Sequence, residues 1–216
     1  MGSAVIRKIG LTGGIASGKS RVAEILAGML DCVHVDADEL CRQLLQPHAE
    51  GWLKFSSEFG LTYFAENGSI NRPILRKKLF ADEDFRQKVN NVIHPLVKGV
   101  IIAQMDHIIE SDTNSKVLVE VPLLFEVQWE NLFDTVVVVY ADYETCLNRL
   151  MERDGVARRE AIRELESQLP LSEKVIKADH VIDNSGVLPD TNIQVEHLAE
   201  LLSRNRGHNS HARTRD

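Results

Sequence analysis

The chain has 216 residues, of which 44% are hydrophobic and 26% charged, and a formal net charge of −7. That length and balance suit one α/β domain carrying an elaboration, or at most two small domains. The acidic balance gives no general case for nucleic-acid binding, and no run approaches the ~18 apolar residues of a membrane span.

Residues 5–12 read as a short buried strand. They lead into Gly-Gly-Ile-Ala-Ser-Gly-Lys-Ser at positions 13–20, which fits the phosphate-loop pattern G-x-x-x-x-G-K-[S/T]. The glycines let backbone N–H groups point inward around phosphate oxygens. Lys19 can reach β- and γ-phosphates, and the Ser20 hydroxyl can ligate Mg²⁺. Val22, Ile25, Leu26, Met29 and Leu30 then recur at helical spacing. A helix placed there aims its positive N-terminal end at the same anion.

A second strand is expected at 32–35, followed by Asp36-Ala37-Asp38. In an extended segment those two carboxylates share a face. One can then hold hydrated Mg²⁺ while the other accepts a hydrogen bond from an acceptor hydroxyl. Asp36 can also serve as the N-cap of the next helix. Residues 37–115 show helical patterns, including 84–92 and 96–109, and Asn71-Arg72-Pro73 reads as a helix start with proline in the first turn. A helical insertion over the carboxyl ends of the sheet is the expectation.

Further strands are expected at 117–121, Thr135–Tyr140 and 180–182. The five runs are β-branched and not alternating, the pattern of a parallel sheet buried on both faces. Two charged helical patterns, Tyr143–Asp154 and 158–169, meet at Gly155 and carry Arg149, Arg153, Arg158, Arg159 and Arg163. As a group they read as a phosphate-closing lid. The expected division is a single kinase domain over 1–206. Its core covers about 1–36, 116–142 and 179–206, with an acceptor-binding insertion at 37–115 and a lid at 143–178. The polar tail, 207–216, is expected to be disordered. Cys32, Cys41 and Cys146 lack redox or metal-ligand spacing and read as reduced thiols. The N-terminus shows no secretory leader pattern. The expectation is a cytoplasmic monomer or weak homo-oligomer with neither nucleic-acid nor membrane partners.

The ordered motifs narrow this further. Leu11-Thr12-Gly13-Gly14-Ile15, Asp36-Ala37-Asp38, His94-Pro95-Leu96 and Val121-Pro122-Leu123-Leu124-Phe125-Glu126 occur in that order. Arg149 and Arg153 follow, then Gln168-Leu-Pro-Leu-Ser-Glu-Lys174, Ala178-Asp179 and Asp183-Asn184-Ser185-Gly186. Through nearly all of residues 6–186 the chain resembles the dephospho-CoA kinase family. The resemblance implies a P-loop NTPase fold and ATP-dependent phosphorylation of the ribose 3′-hydroxyl of dephospho-CoA. The alternative is another small-molecule or nucleoside monophosphate kinase of the same fold, which would not share 122–126 or 168–174. A GTP-driven switch is disfavoured, because Asp183–Gly186 follows the last strand and no Asn-Lys-x-Asp guanine reader is present.

By the same resemblance Gly14, Ile15, Ala16, Ser17, Gly18, Lys19, Ser20 and Arg21 cradle ATP, with Arg153 and Asn184 beside the nucleotide. Ser20 and Asp36 serve Mg²⁺, Asp38 takes the acceptor hydroxyl, and Arg149 contacts the transferred phosphate. His94, Pro122 and Leu123 shape the acceptor pocket. Two departures stand out. Arg21 replaces a frequent Thr, and Ala16 replaces a frequent Gly, a change that is easily tolerated only where φ is negative.

Overall fold

Short runs of valine, isoleucine and leucine have extended preference and need cover on both faces. In the computed structural model, which describes residues 6–112 and 114–204, such runs form one parallel five-stranded sheet. Its strands are β1 (Lys8–Gly13), β2 (Val33–Asp36), β3 (Val117–Glu120), β4 (Thr135–Tyr140) and β5 (His180–Asp183). Their order is β2-β3-β1-β4-β5. The five expected strands are all present, with ends shifted by a residue or a few. The expected disorder of 207–216 concerns residues outside those described.

One face is covered by α1 (Lys19–Leu30) and α9 (Leu188–Arg204). Val22, Leu26 and Leu30 meet Val195, Leu198 and Leu202 over Ile9, Leu11, Val137 and Val139. The other face carries the helices between β2 and β3: α2 (Ala37–Leu44), α3 (Glu50–Phe59), α4 (Arg72–Ala81) and α5 (Glu83–Ser111). Among the described residues of this interval, extended pairing amounts to an isolated antiparallel bridge, Phe64 to Ile70. Phe55, Phe59, Tyr63, Phe64 and Phe85 stack edge to face or tilted, with ring centroids 4.8–6.2 Å apart.

Asn71 caps α4 by accepting from the Ile74 N–H at 3.3 Å, with Pro73 in the first turn as expected. Two sequence expectations need correction here. The patterns at 84–92 and 96–109 belong to one 29-residue helix with Pro95 in its interior. Proline removes one backbone donor. The packing of Val89, Ile93, Val97, Ile101 and Met105, buried at a constant spacing of four, holds the helix through that gap. The same helix has an 18-residue window of mean hydropathy 1.3, so the chain does contain a run apolar and long enough to cross a membrane. In this fold it packs on β3, α2, α3 and α4.

After β4 come α6 (Tyr143–Asp154), α7 (Arg158–Leu165) and α8 (Leu171–Lys177). The expected helix at 158–169 stops at Leu165, and Pro170 opens α8 instead. Leu147, Leu150 and Ala161 form a small core of their own, against which Ile15 and Ala16 of the phosphate loop pack.

Candidate active site

Strand register decides which side chains meet at the carboxyl edge. Leu11 of β1 pairs with Glu120 of β3, and Glu120 in turn pairs with Asp36 of β2. The ends of three strands therefore stand in one row, directly below the turn from β1 into α1. Open α/β sheets bind ligands at this edge.

The phosphate loop is built by steric exclusion. A Cβ at Gly13 would lie 2.5 Å from the Val139 carbonyl oxygen and 2.7 Å from Ser17 Oγ. Gly18 has φ +89°, and a Cβ there would collide with Asn184 Nδ2. Gly18 is also the N-cap of α1 and offers no side chain, so no capping side chain occupies the helix start. The free first-turn N–H groups make an anion site. Ala16 sits at φ +58°, so the condition under which alanine replaces glycine without strain is not met. A left-handed alanine costs roughly 1–2 kcal/mol, held here by the packing of Ala16 against the lid core.

Lys19 Nζ donates to the Gly14 carbonyl at 3.0 Å. Burial lowers its pKa, partly offset by the Glu120 and Asp38 carboxylates. Asn184 Nδ2 donates to Ser17 O at 2.8 Å, and its Oδ1 accepts from Thr191 Oγ1 at 2.9 Å. Asn184 thus braces the loop, with both ends of its amide engaged. Ser17 Oγ is buried and makes no hydrogen bond to the described residues. Arg21 pairs with Glu24 at 3.3 Å on the surface of α1.

The acidic segment differs from its extended reading. β2 ends at Asp36 and Ala37 already begins α2, so Asp38 occupies the first turn of a helix. Asp36 Oδ1 accepts from the N–H groups of Asp38 at 2.8 Å and Glu39 at 3.3 Å, while Oδ2 lies 3.6 Å from Arg42 Nη2. The capping role of Asp36 is therefore realised through Oδ1. Desolvation on the cleft side raises the Asp38 carboxyl above its ordinary value, and Asp36 raises it further, against the charges of Lys19 and Arg42.

Glu120 was missed in the sequence reading. It is 4% exposed, and its Oε1 accepts from Ser20 Oγ at 2.8 Å. Its Oε2 is buried and lies 3.5 Å from His34 Nε2, beyond good hydrogen-bonding range. Burial alone would raise this carboxyl, but the contacts of His34 and Ser20 and the charge of Lys19 bring it below its ordinary value. A glutamate ending an otherwise apolar run was the available signal. Hard cations favour such oxygen donors, and the residues fit Mg²⁺.

On the lid, Arg149 has its Nη1 buried without a hydrogen bond to the described residues. Arg153 is engaged differently, with Nε and Nη2 at 2.7 and 3.0 Å from the Asp154 carboxylate. Asp154 falls to a pKa of about 2, through Arg153 first and then Arg76. Arg76 of α4 reaches across to Asp154 at 3.1 Å and to Glu164 of α7 at 2.7 Å, tying the insertion to the lid. His94 lies within α5, near the Trp129 ring at 6.0 Å, and burial lowers its pKa. Trp129 is core, and Trp52 donates to Gly68 O at 2.8 Å within the insertion. The Pro122 carbonyl accepts from Thr12 Oγ1 and from Lys174 Nζ, while Leu123 follows in the loop after β3. A cleft of about 710 Å³ opens between α2 and the start of α4, lined by Cys41, Leu45, Ile70 and Leu75, with Arg42, Arg72 and Arg76 among its walls.

A glycine-built phosphate loop at the carboxyl edge of this sheet order, with the Glu120 carboxylate on Ser20, makes the chain a P-loop kinase. Comparison narrows the class. The family model for dephospho-CoA kinase matches residues 7–190. The dephospho-CoA kinase of Bacillus licheniformis is 39% identical over 195 residues, 90% of this chain and 96% of that one. A solved dephospho-CoA kinase from Campylobacter jejuni superposes with a TM-score of 0.66 at 31% identity, covering 92% of this chain and 98% of that one. TT1252 from Thermus thermophilus superposes with a TM-score of 0.74 at 28% identity, covering 92% and 97%. The chain belongs to the dephospho-CoA kinase family.

Proposed function

We propose that this chain transfers the γ-phosphoryl group of ATP to the ribose 3′-hydroxyl of dephospho-CoA, giving coenzyme A and ADP. The observation that carries the reading is geometric: strand register sets Glu120 beside Asp36 at the foot of the phosphate loop, where Glu120 Oε1 accepts from Ser20 Oγ at 2.8 Å and Lys19 Nζ folds back on the Gly14 carbonyl at 3.0 Å. In this reading Lys19 at the start of α1 is the cation for the phosphates, Asp38 in the first turn of α2 the base for the acceptor, and Glu120 at the end of β3 the carboxylate for the metal. The cleft beside α2 suits the acceptor's long, mostly apolar arm, and its arginines suit the diphosphate. His94, Pro122 and Leu123 would support that side of the site. The three described cysteines are free, which accords with a cytoplasmic location.

In this reading Asp38 accepts the hydrogen bond of the 3′-hydroxyl and takes its proton as the new O–P bond forms and the bond to the ADP oxygen breaks. Lys19 and Arg149 stabilise the charge that spreads over the transferred group. Bound Mg²⁺ supplies neutralisation of phosphate charge, and Ser20 with Glu120 would hold it or its waters.

Asp38→Asn is expected to lower kcat by about 10²–10⁴-fold with ATP affinity changed only a few-fold. The acid limb of the wild-type pH–rate profile should lie above an ordinary aspartate's titration, because activity needs the ionised form and the pKa is raised. Stability should move the other way. A carboxyl whose pKa rises on folding binds its proton more tightly in the native state, so its ionisation opposes folding as pH rises. Thermal melts at neutral pH should find Asp38→Asn no less stable than wild type. A separate titration of rate against Mg²⁺ should show a raised half-maximal concentration for Glu120→Gln and little change for Asp36→Asn, which retains a capping oxygen.

The proposal as a whole is tested by offering dephospho-CoA, AMP, UMP and shikimate with ATP to the purified protein. Dephospho-CoA is expected to dominate kcat/KM. Equal or better turnover of another acceptor would overturn the assignment.

A further inference from the structure

Lys174 is fully buried, an unusual place for an ammonium group. Its Nζ donates to the Gly13 carbonyl at 3.3 Å and to the Pro122 carbonyl at 3.1 Å, and pairs with Glu126 Oε1 at 2.8 Å. Three acceptors match the three donors of a lysine, so the group is saturated. They come from two segments that the sequence keeps far apart, the phosphate loop and the loop after β3, and Lys174 itself brings in α8 as a third. Gly13 opens the phosphate loop, Pro122 follows β3, and Glu126 also accepts from the Leu169 N–H at 3.0 Å, just before α8. One turn earlier on α8, Leu171 lies under Gly14, where a Cβ would approach it to 2.9 Å.

Desolvation lowers the Lys174 pKa, and the Glu126 contact works against that fall. The charge of Lys174 is also felt at Lys19, whose pKa it lowers. A buried cation kept beside a phosphate site, with two of its three contacts on backbone carbonyls of the site loops, does more than close an ion pair.

We propose that Lys174 is a positioning residue for phosphoryl transfer, which pins the Gly13 and Pro122 carbonyls together and so sets the phosphate loop against the acceptor-side loop without touching either substrate. The proposal rests on the reading of those two loops given above. Loss of the pin lets the loops separate by a fraction of an ångström, and small misplacements of reacting groups cost up to about 10²-fold in rate. Lys174→Met by itself leaves Glu126 without its cation and is expected to lower the melting temperature.

The discriminating experiment compares Lys174→Met, Glu126→Gln and the double variant, reading melting temperature, kcat with dephospho-CoA, and the affinity for a non-hydrolysable ATP analogue. Glu126→Gln keeps the ammonium on both carbonyls, so its kcat should stay within a few-fold of wild type. The double variant removes the unpaired carboxylate, so most of the lost melting temperature should return while kcat stays roughly ten- to a hundred-fold down. Analogue affinity should also be weakened. If kcat returns together with stability in the double variant, Lys174 serves only as the partner of Glu126 and the proposal falls. If the double variant stays unfolded, the Glu126→Gln rate decides: a loss as large as a hundred-fold in that folded variant also overturns it. Analogue binding does not involve the acceptor, so a wrong acceptor assignment would appear as an inactive wild type with intact analogue affinity.

Discussion

Arg149→Ala is expected to lower kcat by about 10³–10⁵-fold, the range for loss of an arginine that stabilises transferred phosphate. Its guanidinium has a buried Nη1 without a hydrogen bond to the described residues, a costly arrangement unless an anion completes it. Arg153, by contrast, is already satisfied by Asp154, so Arg153→Ala should have the milder effect on rate. Arg149→Lys keeps the charge but loses the fork that grips two phosphate oxygens, and should recover only part of the activity. The base of the lid already rests on the phosphate loop through Leu147, Leu150, Ile15 and Ala16. If the lid closes, the change should fall on its outer surface and on the segment leading to α8, since Ala161 of α7 shares the small core with Leu147 and Leu150. Hydrogen exchange across 143–170, with and without an ATP analogue plus dephospho-CoA, should show protection rising there on binding. Unchanged protection together with near-normal Arg149→Ala turnover would remove the lid from the mechanism.

Lys19→Ala is expected to reduce kcat by at least about 10²–10³-fold while the protein remains folded. The two halves of that expectation have separate causes. The ammonium meets developing charge on the leaving group, so the rate depends on it. Stability does not, since Lys19 makes a bond to the Gly14 carbonyl but has its pKa lowered by burial. A lysine whose pKa falls on folding holds its proton less tightly in the native state, so the charged form opposes folding at neutral pH and the opposition fades as pH rises. Circular dichroism and melting curves should match wild type or exceed it. A folded variant with unchanged kcat would remove Lys19 from the chemistry.

The parts of the fold carried by local pattern were legible in the sequence. Runs such as 117–119 and 136–139 can be covered on both faces only in a parallel sheet, and the glycine loop has one structural use. What escaped was settled by tertiary packing. The patterns on either side of Pro95 read as helical, but their union into one helix rests on the buried ladder from Val89 to Met105, which outweighs one missing hydrogen bond. The Asp36-Ala37-Asp38 segment reads either as extended or as a helix start capped by Asp36, and the cap forms, so α2 begins at Ala37. Glu120 escaped because a single charge in an apolar run gains meaning only from register with Asp36 and reach to Ser20. Lys174 sat in a recognisable motif, but neither its burial nor its three acceptors can be read from spacing.

The strand order also constrains how the protein is made. β1 lies in the middle of the sheet, yet its partners begin at Val117 and Thr135, so it leaves the ribosome long before either neighbour exists. At roughly 5–20 residues per second, this central strand waits for several seconds without a ladder. Non-local pairing of this kind folds slowly and exposes apolar backbone to aggregation. The helical interval is synthesised during that wait, and its aromatic cluster is complete once Phe85 has emerged. The insertion is thus placed to fold first and to offer an ordered surface on which β3, and then β1, can assemble.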